Sequence, residues 1–136
     1  MKVKIRKANL VDAKICLKLR TVEEKKCDID FIGSVRNRSC LFLVAEKDGK
    51  VVGYCIGYFS PTQKKDVMLH ETRIVKSERG LGIGTVLVSE FCKKAFRKKA
   101  RAIYAEIESK HEKFYCKACG FKKNAQWTEV VKNKGK

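Results

Sequence analysis

Three glycines at alternate positions, in Arg79-Gly80-Leu81-Gly82-Ile83-Gly84-Thr85, constrain this chain more than any other stretch. Val67 to Val75 before them reads as a strand, and Thr85 to Lys99 after them reads as an amphipathic helix. The glycines therefore fall where a strand turns into a helix. The first N–H groups of a helix have no intrahelical partner and sit at the positive end of its dipole. Glycine lets the backbone take positive φ there and lets a ligand approach without meeting a Cβ. Arg79 adds a planar, permanently charged fork. Such a turn suits a pyrophosphate. A glycine-rich turn that only shapes the junction is the plainer alternative.

Known phosphate motifs separate on this stretch. A Walker loop needs Lys-Ser/Thr after its last glycine, and Thr85-Val86 stands there instead. The dinucleotide fingerprint G-x-G-x-x-G needs a third glycine where Thr85 or Leu87 lies. R-x-x-G-x-G does match, through Arg79, Gly82 and Gly84. In this the stretch resembles the acetyl-CoA loop of the GNAT superfamily of N-acetyltransferases. A second motif, Phe114-Tyr115-Cys116-Lys117-Ala118-Cys119-Gly120-Phe121, lies one strand further on. By itself it is an aromatic pair and a glycine helix cap. Its place in the chain resembles that of the family's Tyr-x-x-x-Gly-Phe motif.

The order of elements resembles the family too. Val3 to Lys7 alternates with period two and reads as a strand. Asn9 can cap a helix that runs to about Leu19, with Asp12 in its first turn. A loop and a short helix over Ile29 to Arg36 follow. Leu41 to Glu46 and Lys50 to Ser60 form a hairpin around Asp48-Gly49. Pro61 to Lys65 is a turn into the fourth strand, Asp66 to Val75. The long helix puts Leu87, Val88, Phe91, Cys92, Ala95 and Phe96 on one face and Lys93, Lys94, Arg97 and Lys98 on the other. Arg101 to Ile107 is a fifth strand and His111 to Cys119 a short helix. Phe121 to Val131 holds one bent strand or two short ones. The resemblance implies an α+β fold: a mixed, mostly antiparallel sheet of six or seven strands, flanked by about four helices and splayed between strands 4 and 5.

Composition bounds the reading. A chain of 136 residues suits one domain over 1–136, with 132–136 a frayed tail. The N-terminus alternates charged and apolar residues and lacks a signal-peptide core, and the longest uncharged run is too short to span a bilayer. The expectation is a cytoplasmic protein without membrane contact, monomeric or homodimeric. The net charge of +17 favours anionic partners, a cofactor phosphate, nucleic acid or a ribosome among them. A Lys-rich proteome is the alternative source of that charge. The seven cysteines fall mostly in apolar settings, where free cysteine acts as a small hydrophobe. Cys116-x-x-Cys119 has no second ligand pair nearby, so no metal is expected.

The resemblance implies acetyl-CoA as cofactor. It implies pyrophosphate contacts along Arg79 to Thr85, an N–H near Ile74 or Val75 facing the thioester oxygen, and Ser109, Phe114 and Lys117 as further contacts. Where many members carry Asn before the Tyr, this chain has Glu108 and Ser109. Tyr115 would be the general acid, since a phenol can protonate a leaving thiolate. For the base, His70 and Glu71 are candidates expected on opposite faces of the fourth strand, with Thr72 sharing the face of His70. Imidazole takes up a proton near neutrality, so His70 is favoured. Glu23, Glu24, Asp28 and Asp30 could attract a cationic acceptor, or be an ordinary charged loop. The implied activity is direct acetyl transfer to a primary amine. A non-catalytic CoA-binding module that uses its basic surface on nucleic acid or a ribosomal particle is the alternative.

Overall fold

A computed structural model describes residues 2–60, 65–123 and 129–134. The first strand, β1, is Val3–Lys7. Helix α1 follows over Leu10–Glu23. Asn9 caps it in a reciprocal box: Asp12 N–H donates to Asn9 Oδ1 at 2.9 Å, and Asn9 N–H donates to Asp12 Oδ2 at 2.8 Å. Asp12 is buried and also binds Arg6 of β1 through both oxygens, at 2.6 and 3.1 Å, which pins the helix start to the sheet. The helix runs past Leu19, so Glu23 lies in its last turn rather than in a loop.

The next elements are α2 (Phe31–Arg36), β2 (Cys40–Lys47), β3 (Lys50–Phe59) and β4 (Asp66–Ile74). Asp48 and Gly49 both take positive φ, the conformation a two-residue hairpin loop demands. Helix α3 spans Ile83–Arg97, and β5 is Ala102–Glu106. A wide π-turn occupies Phe114–Ala118, where the sequence predicts an ordinary short helix. β6 is Lys122–Lys123 and β7 is Glu129–Asn133, so the last strand is two pieces. The segment 61–64, where a turn is expected, and the segment 124–128 lie outside the described residues.

One seven-stranded sheet runs β1-β2-β3-β4-β5-β7-β6. All its pairs are antiparallel except β4 with β5. Successive side chains of β2 alternate between two cores, as the period of a strand requires. Leu41, Leu43 and Ala45 join Val67, Leu69, Ile103 and the α3 residues Leu87, Val88 and Phe91. Phe42 and Val44 join Tyr54, Ile56, Phe31, Ala13 and Cys16 under α1 and α2. The sheet is thus buried on both faces. A Cβ on Gly57 of β3 would lie 2.3 Å from the Met68 carbonyl oxygen and 2.7 Å from the Phe91 ring, so only glycine lets α3 settle there.

Four cysteines, Cys16, Cys55, Cys92 and Cys119, are buried, and all seven are free thiols. Burial pushes the thiols of Cys16 and Cys92 up to about 12 and that of Cys119 to about 11. Among the described residues, no group of His, Cys, Asp and Glu is placed to hold a metal ion. Among the described residues, no helix is long and apolar enough to cross a membrane.

Candidate active site

The glycine loop forms at the C-terminal end of β4, after a single helical turn over Lys76–Glu78. Gly80 and Gly82 take φ of +80° and +87°, which L side chains rarely adopt. Gly82 is the N-cap of α3, and no side chain caps that helix. Its first intrahelical bond is Val86 N–H to Gly82 O, so the N–H groups of Ile83, Gly84 and Thr85 precede the ladder. They open onto a groove of about 420 Å³ lined also by Ile74 and Phe114. A Cβ on Gly80 or Gly82 would meet nothing within 4 Å, so the groove side of the loop is clear. Unspent donors at a helix start, facing an open groove, fit a phosphate group. Leu81 and Lys117 are exposed and line neither this groove nor the cavity beside it.

The sheet opens next to the loop. β4 pairs with β5 only from Asp66 to Leu69, opposite Ala102 to Ala105. Beyond Leu69, β4 continues to Ile74 without β5 beside it. Val75 N–H donates to Val52 O at 2.8 Å, so that donor is spent on β3. Backbone groups of successive residues in a strand point to opposite sides. Of the two expected N–H donors, Ile74 therefore faces the gap and Val75 does not.

A second cavity, of about 510 Å³, occupies the gap and shares Thr72, Ile74, Arg79 and His111 with the groove. Tyr115 reaches it from the π-turn, a distortion frequent at functional sites. Its hydroxyl lies 3.4 Å from Thr72 Oγ1, and its ring packs edge-on against Phe114 and Phe121. Burial pushes the phenol above its ordinary range, so the group is a proton donor at neutral pH. Phe114 closes the groove side, 3.3 Å from where a Gly84 Cβ would stand. Ser109 opens the short turn before the π-turn, and its side chain lies outside the described residues.

His70 and Glu71 do not point apart as the alternation of a strand predicts. The register of β3 with β4 steps from Gly57↔Leu69 to Ile56↔Glu71, leaving His70 as the extra residue of a β-bulge. The bulge resets the alternation. Thr72 then faces the α3 core, bonded to Cys55 Sγ at 3.4 Å, while Glu71 faces α1 and accepts from the Tyr54 hydroxyl. His70 and Glu71 consequently line the same cavity. Arg20 Nη1 also binds Glu71 at 2.6 Å, and Arg73 Nη2 does so at 3.1 Å. Burial alone would raise the Glu71 carboxyl, but the hydrogen bonds of Tyr54 and Arg73 and the charges of Arg73 and Arg20 outweigh it and hold it low. A carboxylate held so by two guanidiniums and a phenol is a weak base. His70 is exposed at the cavity wall.

The acidic segment is also engaged. Glu24 binds Arg20 at 2.8 Å and Arg73 at 3.1 Å, and Glu23 binds Arg73 at 3.2 Å. Asp28 is exposed, 3.7 Å from Arg20. Asp30 caps α2 by accepting from Gly33 N–H at 2.9 Å. Arg79 turns away from the helix start that it neighbours. Its Nη2 holds both oxygens of Glu23, at 2.5 and 2.7 Å, and its Nε donates to Ile74 O at 2.8 Å.

Sequence reasoning passes over Glu106, the last residue of β5. It lines the cavity beside His70, at the point where β4 and β5 part. The signal that could find it is its position: one residue past the Leu69↔Ala105 pair, on the face opposite Ala105. Arg20 and Arg73 are likewise absent from the sequence reading. Their roles depend on how the last turn of α1 meets β4 across the sheet, which no local pattern encodes.

Comparison with known proteins gives concordant matches. The model of the acetyltransferase (GNAT) family matches residues 11–121. The L-2,4-diaminobutyric acid acetyltransferase of Nocardia farcinica is 40% identical over 48 residues. That stretch is 35% of this chain and only 25% of the length of that relative. The crystal structure of the PaiA N-acetyltransferase of Thermoplasma acidophilum with coenzyme A superposes with a TM-score of 0.78, at 17% identity, over 98% of this chain and 99% of that one. The diaminobutyrate acetyltransferase EctA of Paenibacillus lautus, solved with L-2,4-diaminobutyric acid and coenzyme A, superposes with a TM-score of 0.69 at 18% identity. That match covers 85% of this chain and 74% of EctA.

Proposed function

The chain belongs to the GNAT family of acetyltransferases, and on that premise we propose that it moves acetyl from acetyl-CoA to a primary amine by direct attack in a ternary complex. One observation carries the reading: the uncapped start of α3 and the buried Tyr115 open onto two cavities with shared walls. The N–H groups of Ile83, Gly84 and Thr85 would hold the pyrophosphate, and the free edge of β4 at Thr72 and Ile74 the pantetheine arm. Bound there, acetyl-CoA supplies an acetyl group activated as a thioester. The Ile74 N–H is a fixed dipole for negative charge developing on the carbonyl oxygen. His70 takes the proton that an ammonium must lose before its nitrogen can attack. Tyr115 Oη gives a proton to the leaving sulfur. The buried cysteines are inert thiols, which favours direct transfer over an acetyl-enzyme.

The test is acetyl-CoA turnover against an amine panel, with products identified by mass. L-2,4-diaminobutyrate, a peptide N-terminus, a lysine side chain and a linear diamine cover the acceptor classes. Turnover with any of them is the expected result. CoA binding without turnover, together with RNA binding that falls steeply with salt, would favour the non-catalytic module.

The base has its own test. A base must be unprotonated to act, so kcat/KM falls as pH drops through its titration. His70→Gln should lower kcat/KM and remove that acid limb, with acetyl-CoA saturating. Glu71→Gln should keep the limb. If His70→Gln retains rate and limb while Glu106→Gln loses both, the proton leaves through β5 instead.

A further inference from the structure

Arg79 belongs to both halves of the site. It lines the glycine groove and the cavity at Tyr115, and its guanidinium is held by Glu23 and the Ile74 carbonyl. On the side of α1, four carboxylates (Glu23, Glu24, Asp28 and Glu71) meet three guanidiniums (Arg20, Arg73 and Arg79) in one connected set of ion pairs. Carboxylates outnumber guanidiniums by one. Glu23 sits in the last turn of α1, where the negative end of the helix disfavours a carboxylate. Its carboxyl is nonetheless held below its ordinary range, chiefly by the hydrogen bond from Arg79 and next by that from Arg73, against some loss of solvent.

We propose that Glu23 is an acceptor-binding carboxylate and that Arg79 masks it until acetyl-CoA is bound. The proposal rests on the acetyl-CoA reading above. Arg79 has two claimants: the single charge of Glu23, and a pyrophosphate carrying one charge on each phosphate at the adjacent helix start. The Arg79–Glu23 pair is 43% and 32% exposed, so water and salt weaken it. A guanidinium fork binds phosphate in two-pronged fashion and gains by the exchange. Once Arg79 turns, Glu23 keeps only Arg73. Four carboxylates then face two guanidiniums, and the wall of the acceptor cavity becomes more negative by one charge. The same movement releases the Ile74 carbonyl on the open edge of β4. A cationic amine is thus drawn in only behind the cofactor. In a chain of net charge +17, a local negative charge of this kind decides where a cation can settle. The acceptor this selects enters as an ammonium or carries a second positive charge.

Calorimetry with CoA tests the exchange without an acceptor. In the wild type, CoA must break the pair before it can use Arg79. Glu23→Gln keeps the shape and removes the charge, so CoA should bind about two- to fivefold tighter, the worth of an exposed pair. In an Arg79→Gln background the same Glu23→Gln change should have no effect. A gain that persists there is long-range charge relief and overturns the proposal. Unchanged or weaker binding in Glu23→Gln also overturns it, since the pair then braces the loop. Failure of the wild type to bind CoA at all would overturn the acetyl-CoA reading itself. In a crystal of the CoA complex, Arg79 should lie on phosphate oxygens and leave Glu23; an intact pair rejects the idea.

Discussion

Tyr115→Phe should lower kcat by about a hundred- to ten-thousand-fold, the range a positioned general acid contributes, while CoA affinity changes little. The substitution keeps the ring and its edge-on contacts with Phe114 and Phe121, so the wall of the cavity stays in place. It removes one hydroxyl, whose partner in the protein is Thr72 Oγ1 at 3.4 Å. A contact that long adds little to folding, so thermal stability should barely move. Burial raises the phenol's titration, so the wild-type rate should show no loss of this proton at neutral pH. Single-turnover measurement with excess enzyme isolates the chemical step from product release. A wild-type single-turnover rate in the variant would remove Tyr115 from the mechanism.

Gly82→Asp should weaken CoA binding by roughly a hundredfold or more, because like charges set against each other at a binding surface cost several kcal/mol. The new carboxylate would lie at the positive end of α3 and compete for the N–H groups of Ile83, Gly84 and Thr85. Gly82 has φ of +87° and open space around it, so the substitution strains the backbone without a clash. That strain is about 1–2 kcal/mol for a side chain in the left-handed region, and the carboxylate's attraction to the helix start offsets part of it. The melting transition should fall a few degrees and remain cooperative. Gly82→Ala carries the strain without the charge and separates the two effects. If the Asp variant folds and binds CoA as the wild type does, the loop does not hold the pyrophosphate.

Features set by neighbours in the chain were legible in the sequence. Asn9 with Asp12 announces a capped helix, Asp48-Gly49 a tight hairpin, and Gly82 a left-handed residue at a helix start. Each is a local demand of the backbone that only a few residue types meet. The β-bulge at His70 was not legible, because a one-residue offset is a property of two strands and not of either alone. It turned Glu71 to the α1 face of β4 and Thr72 to the α3 face, with both still in the cavity wall. The direction of Arg79 was hidden for a similar reason. The motif places its Cα beside the glycines, but a long guanidinium goes where a carboxylate waits, and Glu23 is 56 positions away. Glu106 escaped because nothing in a five-residue strand marks which end stands at the opening of the sheet.

The placement of the sulfur atoms sets how the chain meets oxidants and alkylating reagents. A thiol reacts through its thiolate. The side chains of Cys16, Cys92 and Cys119 titrate near 11 to 12, far above physiological pH, and Cys55 is equally enclosed. In the native chain these sulfurs should react slowly with iodoacetamide or peroxide, whereas Cys27, Cys40 and Cys116 are partly open to solvent. Unfolding returns every sulfur to water at once. Alkylation at the four enclosed positions is therefore a count of excursions out of the native state, written into the chain as covalent mass and readable in a mixture without any optical probe.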